Sequence, residues 1–298
     1  METINIQDSL VELVHLQTFL AVADAESITR AADRLSCVQS NVTARINRLE
    51  RELKASLFVR SQRGVSLTAF GQEFYPKARK IIDLVERLKY PDTEDKVSGN
   101  LRVGAVETVA VLGMPAVIAD LNYAHPLLAI ELKTGTSQEL LRSLKNFKID
   151  AAIVSGTIDD ASLSTAVLRE DELVLVRSAH FTAAPLSRKT PPESLFVFRQ
   201  GCAFRAALEA WLYAIKAVPQ AINEINSLDG IMAHVAAGRG VTALPRRTVQ
   251  SHSLHDKLHI SALPSRYSKI KTSLVRLPDN DDDARTNALL QAAQDVFG

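Results

Sequence analysis

A chain of 298 residues with 46% hydrophobic and 23% charged residues has the make-up of a folded globular protein of about two domains, which excludes a disordered or fibrous chain. A net charge of +1 excludes a uniformly polycationic binder, and two cysteines far apart in sequence, Cys37 and Cys202, exclude a disulfide scaffold and point to a reducing cytoplasm. No apolar run approaches the ~20 residues that span a bilayer, and the opening M-E-T-I-N-I-Q-D-S-L has no basic stretch leading into an apolar one, so neither a membrane segment nor a secretory signal is expected.

The first 90 residues read as helical. Leu13, Leu16, Phe19, Leu20 and Ala23 recur at three- and four-residue spacing. Ser27 or Thr29 can cap a second helix carrying Ala31, Ala32 and Leu35 inward. After a very short break, V-Q-S-N-V-T-A-R-I-N-R-L-E places Val42, Ile46, Leu49 and Leu53 on one stripe. Its other side carries Ser40, Thr43, Ala44 and Asn47, bordered by Arg48 and Arg51. L-F-V-R-S-Q-R-G-V-S-L-T then reads as a small hairpin around Gly64. Residues 69–90 return to helical spacing through Phe70, Phe74, Ala78, Ile81, Ile82, Val85 and Leu88, with no compact neighbour in the sequence, so pairing with a second chain is expected. Pro91 ends that helix and 91–98 forms a polar hinge.

From Leu101 strands and helices alternate, which indicates α/β units with mainly parallel sheets. Strands are expected at L-R-V-G-A-V, A-I-E-L-K-T-G, I-D-A-A-I-V, E-L-V-L-V, L-F-V-F, 221–225 and V-T-A-L-P. Helices are expected from about Val109, at S-Q-E-L-L-R-S-L, at 205–212 and at 228–237.

Charge is local even though the total is near zero. Residues 28–65 hold eight Arg and Lys against three acids, an excess suited to phosphates. Helix, short turn, helix and basic hairpin is the order of a winged helix-turn-helix, whose second helix enters the major groove with its N-terminal residues against base edges. Gln, Asn, Ser and Thr suit base edges and Arg suits phosphate. An ordinary amphipathic helix with a polar face fits the same pattern.

Across nearly the whole chain the motifs resemble those of LysR-type transcriptional regulators. They are L-Q-T-F-L-A-V-A, S-I-T-R-A-A-D-R-L, V-Q-S-N-V-T-A-R-I-N-R-L-E, L-F-V-R and R-G-V-S-L-T-A-F-G, then L-R-V-G-A-V-E-T, H-P-L-L-A-I-E-L-K-T-G-T-S, K-I-D-A-A-I-V-S-G, E-D-E-L-V-L-V and G-R-G-V-T-A-L-P. Val38 stands where the family commonly has a capping Ser, Ser40 where it often has Pro, and Lys54 where it usually has Gly.

The resemblance implies three parts. An N-terminal winged helix-turn-helix, mainly α, covers 1–68, and a linker and dimerisation helix covers 69–90. A two-lobed α/β effector domain like a periplasmic binding protein covers 99–298, its first lobe 99–168 with 271–298 and its second 169–270. It implies a bacterial cytoplasmic regulator binding double-stranded DNA as a homodimer or homotetramer, with RNA polymerase as a further candidate partner. A small, anionic effector would bind between the lobes and alter lobe closure and DNA bending. For DNA it points to Ser27, Thr29, Arg30, Gln39, Ser40, Asn41, Thr43, Arg45 and Arg48, with Arg60 and Arg63 on the hairpin. For effector it points to Thr108, Thr136 and Ser137 facing Gln200, Cys202, Phe204 and Arg205. The hydroxyls lie near helix N-termini, where they also serve as ordinary caps.

Cys202 reads as a small pocket-lining residue in preference to an oxidant sensor, since no second cysteine is near in sequence. His252, His255 and His259 have spacing that would align them on a helix, but the segment corresponds to a loop and strand of the family, so no metal is expected. No cofactor is expected either: no G-x-S-x-G is present, and G-R-G at 238–240 lacks the rest of a dinucleotide fingerprint. An enzyme is therefore not expected. A small-molecule binder that only dimerises through its helical part is the other open reading.

Overall fold

The structure is a computed structural model that describes residues 11–61, 64–89, 97–180 and 185–298, without the side chains of Arg60, Ser61, Glu86, Arg87 and Lys89. Most of the expected 91–98 hinge lies outside the described residues. The chain divides into two compact units, Met1–Pro91 and Asp92–Gly298.

The first unit contains α1 (Leu13–Ala25), α2 (Ile28–Arg34), α3 (Gln39–Leu53), the hairpin β1 (Phe58–Ser61) and β2 (Gly64–Leu67), and α4 (Ala69–Lys89). Ser27, not Thr29, caps α2, its Oγ accepting from the Arg30 N–H at 3.3 Å. Val42, Ile46 and Leu49 bury one face of α3 in a core that also contains Leu16, Phe19 and Leu20. Phe19 is fully buried, with ring centroids of Phe58 and Phe74 at 5.4 and 5.2 Å.

Helix α3 ends at Lys54 in the left-handed region at φ 51°, a conformation that disfavours a side chain by roughly 1 kcal/mol and explains why glycine suits this place. The Glu50 carboxylate ties that end to the hairpin by accepting the N–H groups of Leu57 and Phe58 at 2.6 and 3.3 Å. Strand β2 opens at Gly64 with φ 127°, where a Cβ would sit 2.9 Å from Glu26 O.

Helix α4 does have a neighbour within the chain. Tyr75 and Ala78 are buried against the core that α1 supplies. The Tyr75 hydroxyl donates to Asp24 Oδ1 at 2.5 Å and accepts from Arg79 at 2.7 Å. Burial foremost pushes the Tyr75 phenol up to about 12. Ile81, Leu84 and Leu88 remain exposed further along the same helix.

In the second unit, β3 (Gly99–Ala105), β4 (Leu128–Thr134) and β5 (Ala151–Ser155) pair in parallel, with α5 (Glu107–Leu112), α6 (Met114–Ala124) and α7 (Ser137–Lys145) between them. The single helix expected from about Val109 is broken at Gly113 into α5 and α6. The strand expected at E-L-V-L-V is one part of a 15-residue strand, β6 (Ser164–Ser178).

There follow β7 (Ser194–Val197), α8 (Ala203–Ala214), β8 (Ala221–Glu224), α9 (Leu228–Ala236), β9 (Thr242–Pro245) and α10 (Arg246–Gln250). The chain ends with β10 (Leu258–Ala262), α11 (Ser265–Ser268), β11 (Lys269–Arg276) and α12 (Ala284–Phe297).

The sheets are not mainly parallel. β6 runs antiparallel to β9, β10 and β11, and β11 antiparallel to β5. The seven strands follow the order β10-β6-β11-β5-β3-β4, with β9 added on β6. Two cores result. One gathers Leu101, Val103, Leu140, Ile153, Leu274 and Phe297. The other gathers Leu173, Leu195, Leu208, Ile231, Leu244 and Ile270. The β6–β11 ribbon runs from one core to the other, with a break in register between Thr272 and Ser273.

Candidate DNA-reading face and effector pocket

Four residues, Leu35 to Val38, separate α2 from α3, and Ser36 turns the chain at φ 50°. Val38 provides no side-chain cap, and the first acceptor contact of α3 is Asn41 N–H to Val38 O at 3.0 Å. The N–H groups of Gln39 and Ser40 have no acceptor among the described residues. Burial of Val42, Ile46 and Leu49 leaves Gln39, Ser40 and Asn41 exposed, with Thr43 and Arg45 half-buried beside them. Thr29 and Arg30 are exposed on α2.

Among the described residues Arg30 and Arg45 make no ion pair. Arg48, by contrast, is engaged by two acids. Its guanidinium lies 2.8 Å from Glu12 and 3.2 Å from Glu52, so it serves the fold of this unit first. Arg60 pairs with Val65 in the hairpin register, while its side chain and the whole of Arg63 lie outside the described residues.

In the second unit a pocket of about 80 Å³ lies between the two cores. Thr108, Thr136, Ser137, Cys202 and Phe204 line it, together with Glu107, Ser155, Arg199 and Asn226, which sequence reasoning missed. Gly201, at φ 90°, lets the α8 approach loop come close: a Cβ there would lie 2.9 Å from Thr136 Oγ1. Its carbonyl accepts the Gln138 N–H at 3.4 Å. Arg199 reaches across to Glu139 Oε2 at 3.1 Å.

The hydroxyls differ in what they have left to offer. Ser137 Oγ donates to Ser155 O at 2.8 Å and accepts from the Ser155 N–H at 3.2 Å. Thr136 closes a capping box with Glu139, whose carboxyl is held below its ordinary range chiefly by the Thr136 N–H. Thr108 is not a cap, since Val106 holds that position in α5. It is 6% exposed and makes no hydrogen bond through its side chain among the described residues. Thr108, Ser155 and Phe204 also border a second hollow of about 330 Å³ on the side of Arg169, Asp171 and Arg247.

Two expected effector residues lie elsewhere. Gln200 is exposed and does not line the pocket. Arg205 is buried and does not line the pocket, and its guanidinium is already countered by Glu209 at 2.7 Å and Glu224 at 2.6 Å, with Phe198 O at 3.2 Å. Burial pushes the Cys202 thiol up, against the weaker pull of the Arg205 and Phe204 N–H groups, which disfavours a reactive thiolate. His252, His255 and His259 fall in a turn, a 3-10 helix and a strand and share no helix face.

Comparison with known proteins matches these two units separately. Residues 13–72 match the bacterial regulatory helix-turn-helix protein, lysR family, and residues 94–298 match the LysR substrate binding domain. The chain belongs to the LysR family of transcriptional regulators. It is a DNA-binding regulator with an effector-binding domain, and not an enzyme.

This LysR-family chain is 38% identical to the HTH-type transcriptional regulator CzcR of Bacillus thuringiensis (strain Al Hakam), over 92% of this chain and 91% of that one. Its fold is similar to full-length OxyR of Pseudomonas aeruginosa, with a TM-score of 0.71 at 21% identity over 96% and 98% of the two chains. It is also similar to full-length CbnR in complex with its target DNA, with a TM-score of 0.63 at 18% identity over 96% and 100%. Among the described residues no helix is long and apolar enough to cross a membrane.

Proposed function

We propose that this LysR-type regulator reads its operator with the first turn of α3. Gln39, Ser40 and Asn41 would meet base edges, and Thr43 the groove wall. Ser27, Thr29, Arg30 and Arg45 would position the unit on phosphates, with the hairpin residues Arg60 and Arg63. The observation that carries the reading is the uncapped, exposed start of α3 over a fully buried Val42–Ile46–Leu49 face. Short amides and hydroxyls there supply the hydrogen bonds that bases need, and unused N–H groups attract phosphate.

Two chains would pair through the exposed Ile81, Leu84 and Leu88 of α4, giving a homodimer on a two-fold site and, by pairing of dimers, a homotetramer. RNA polymerase is the partner such a promoter-bound assembly would address. The effector would be a small molecule with an anionic group in the 80 Å³ pocket. Donors remaining for it are the Thr108 hydroxyl, the Thr136 hydroxyl hydrogen and the Ser137 N–H at the start of α7. Because the pocket is lined from both cores and the Arg199–Glu139 pair joins one to the other, ligand binding would change how the two cores close on each other, and thereby DNA bending.

Footprinting upstream of the protein's own gene tests the DNA reading, with protection expected over a dyad and lost in the Asn41→Ala variant. Thermal shift against small organic acids tests the pocket, and Thr108→Val should reduce any stabilisation found. Protection unaltered by Asn41→Ala, or acid binding indifferent to Thr108→Val, would overturn the respective half.

A further inference from the structure

The pocket walls are not suited to an anion alone. Glu107 and Arg199 are the charged side chains that line it. Arg199 is answered by Glu139 at 3.1 Å. Glu107 is half-buried at the first position of α5 and has no hydrogen-bond or ion-pair partner among the described residues. Burial, and then the charge of Asp229, holds its carboxyl above the ordinary range. Asp229 itself lies 2.8 Å from His252 Nε2, so that acid already has a partner. One acidic group is left in the wall with nothing to offset it.

The opposite requirement is present in the same pocket. Thr108 is more than nine-tenths buried, its hydroxyl is unpartnered, and it faces the cavity. Beside it lies the start of the nine-residue helix α7, where the N–H groups of Gln138 and Glu139 are used by Gly201 O and Thr136 Oγ1 while that of Ser137 remains. A simple monoanion would gain these donors but meet the Glu107 charge. A simple amine would gain Glu107 and strand the donors.

We propose that the effector is a small zwitterion, an amino-carboxylate whose carboxylate sits at Thr108, Thr136 and the Ser137 N–H and whose ammonium pairs with Glu107. The inference rests on the pocket reading above and narrows it to one ligand class. A neutral ligand with separated charges answers both requirements of the pocket, and a volume near 80 Å³ favours one of few carbon atoms. A charge-assisted bond to a half-buried carboxylate is strong enough to decide between such ligands.

Titration calorimetry on the full chain near neutral pH tests this with L-alanine, L-serine, L-threonine and L-valine, each beside its deaminated carboxylate and its decarboxylated amine. At least one amino acid is expected to bind about tenfold or more tightly than both of its analogues. Glu107→Gln is expected to remove that preference, with its melting temperature recorded to show that it folds. The analogue series on the unaltered protein stands whatever the variant does. Deaminated carboxylates that bind as tightly as the amino acids, or a preference that survives Glu107→Gln, would overturn the zwitterion and leave the anion seat standing. Amines that bind as tightly as the amino acids would overturn both. No binding by any amino acid of the series would overturn the inference, and organic acids that still shift the melting temperature would keep the broader pocket reading.

Discussion

Helix α3 begins after Val38 with no side-chain cap and two unused N–H groups, whereas α7 begins at Thr136 with a reciprocal capping box. Both starts carry short polar side chains, and both were singled out by the same chemistry in the sequence. In α3 the side chains point to solvent and the helix end is unfinished, so an external partner can complete it. In α7 most of the first turn is completed internally, with Glu139 shared between the cap and Arg199. An open helix start can present a surface to a large polyanion. A nearly closed one can only discriminate among small ligands, through the few donors left over.

The largest effect should come from giving α3 a charge where it now has an amide. Asn41→Asp is nearly isosteric and favours the helix dipole, so the unit should melt no lower and could gain about 0.3–1 kcal/mol. Operator affinity should fall by about 3 kcal/mol, because one amide contact worth about 1–3 kcal/mol is lost and phosphate is repelled. Melting and gel-shift measurements on one preparation would show the two signs. Equal affinity would mean that the first turn of α3 does not meet DNA.

Glu139→Ala should act the other way, on stability more than on DNA. It removes half of the capping box and the bridge to Arg199, a loss of about 1 kcal/mol given that the pair is nearly half-exposed. Because the folded carboxyl is held low, its contribution is present above the ordinary carboxylate range and lost as pH falls through the depressed value. Acid melts of the two proteins should therefore converge at low pH. Melts that stay parallel would assign Glu139 no role in the native charge balance.

The difference between the two helix starts was only partly legible in the sequence. The period of Val42, Ile46 and Leu49 fixed which side of α3 is exposed, and Val38 already announced a missing cap. The pocket was harder, since its wall joins residues of the two cores that the long β6–β11 ribbon links. Periodicity saw only E-L-V-L-V of β6, because Arg169, Glu170 and Asp171 interrupt the strand's apolar run and its first half pairs with β11 over a distance of about a hundred residues in sequence. Arg205 looked like an anion partner because Glu209 and Glu224, which occupy it, lie a helical turn and a strand away. Glu107 was overlooked beside Thr108, although an acid at the first position of a helix reads locally as an ordinary dipole partner. Its isolation is visible only when the second core is in place.

Val38→Ser would bring the α3 start closer to that of α7. A serine can accept from the free N–H groups and should stabilise the first unit by about 0.5–1 kcal/mol. Operator affinity should fall, though by less than in Asn41→Asp, since the exposed amides are left as they are while the free N–H groups are no longer open to phosphate. Unchanged affinity would show that those N–H groups hold no phosphate and that the amides alone make the contact.

The smallest effect separates two arginines that the sequence treated alike. Arg48 is held by Glu12 and Glu52 with half of its side chain exposed, and such pairs contribute about 0–1 kcal/mol. Arg45 has no ion pair among the described residues. If the α3 border meets phosphates through its unengaged cations, Arg45→Ala should reduce the salt dependence of operator binding by about 0.9 in slope for one contact removed. Arg48→Ala should leave that slope nearly as it was while slightly lowering the melting temperature. Equal slopes for the two variants would mean that DNA draws Arg48 away from its acids. In that case the Glu12 and Glu52 carboxylates hold it in place only until the phosphate arrives.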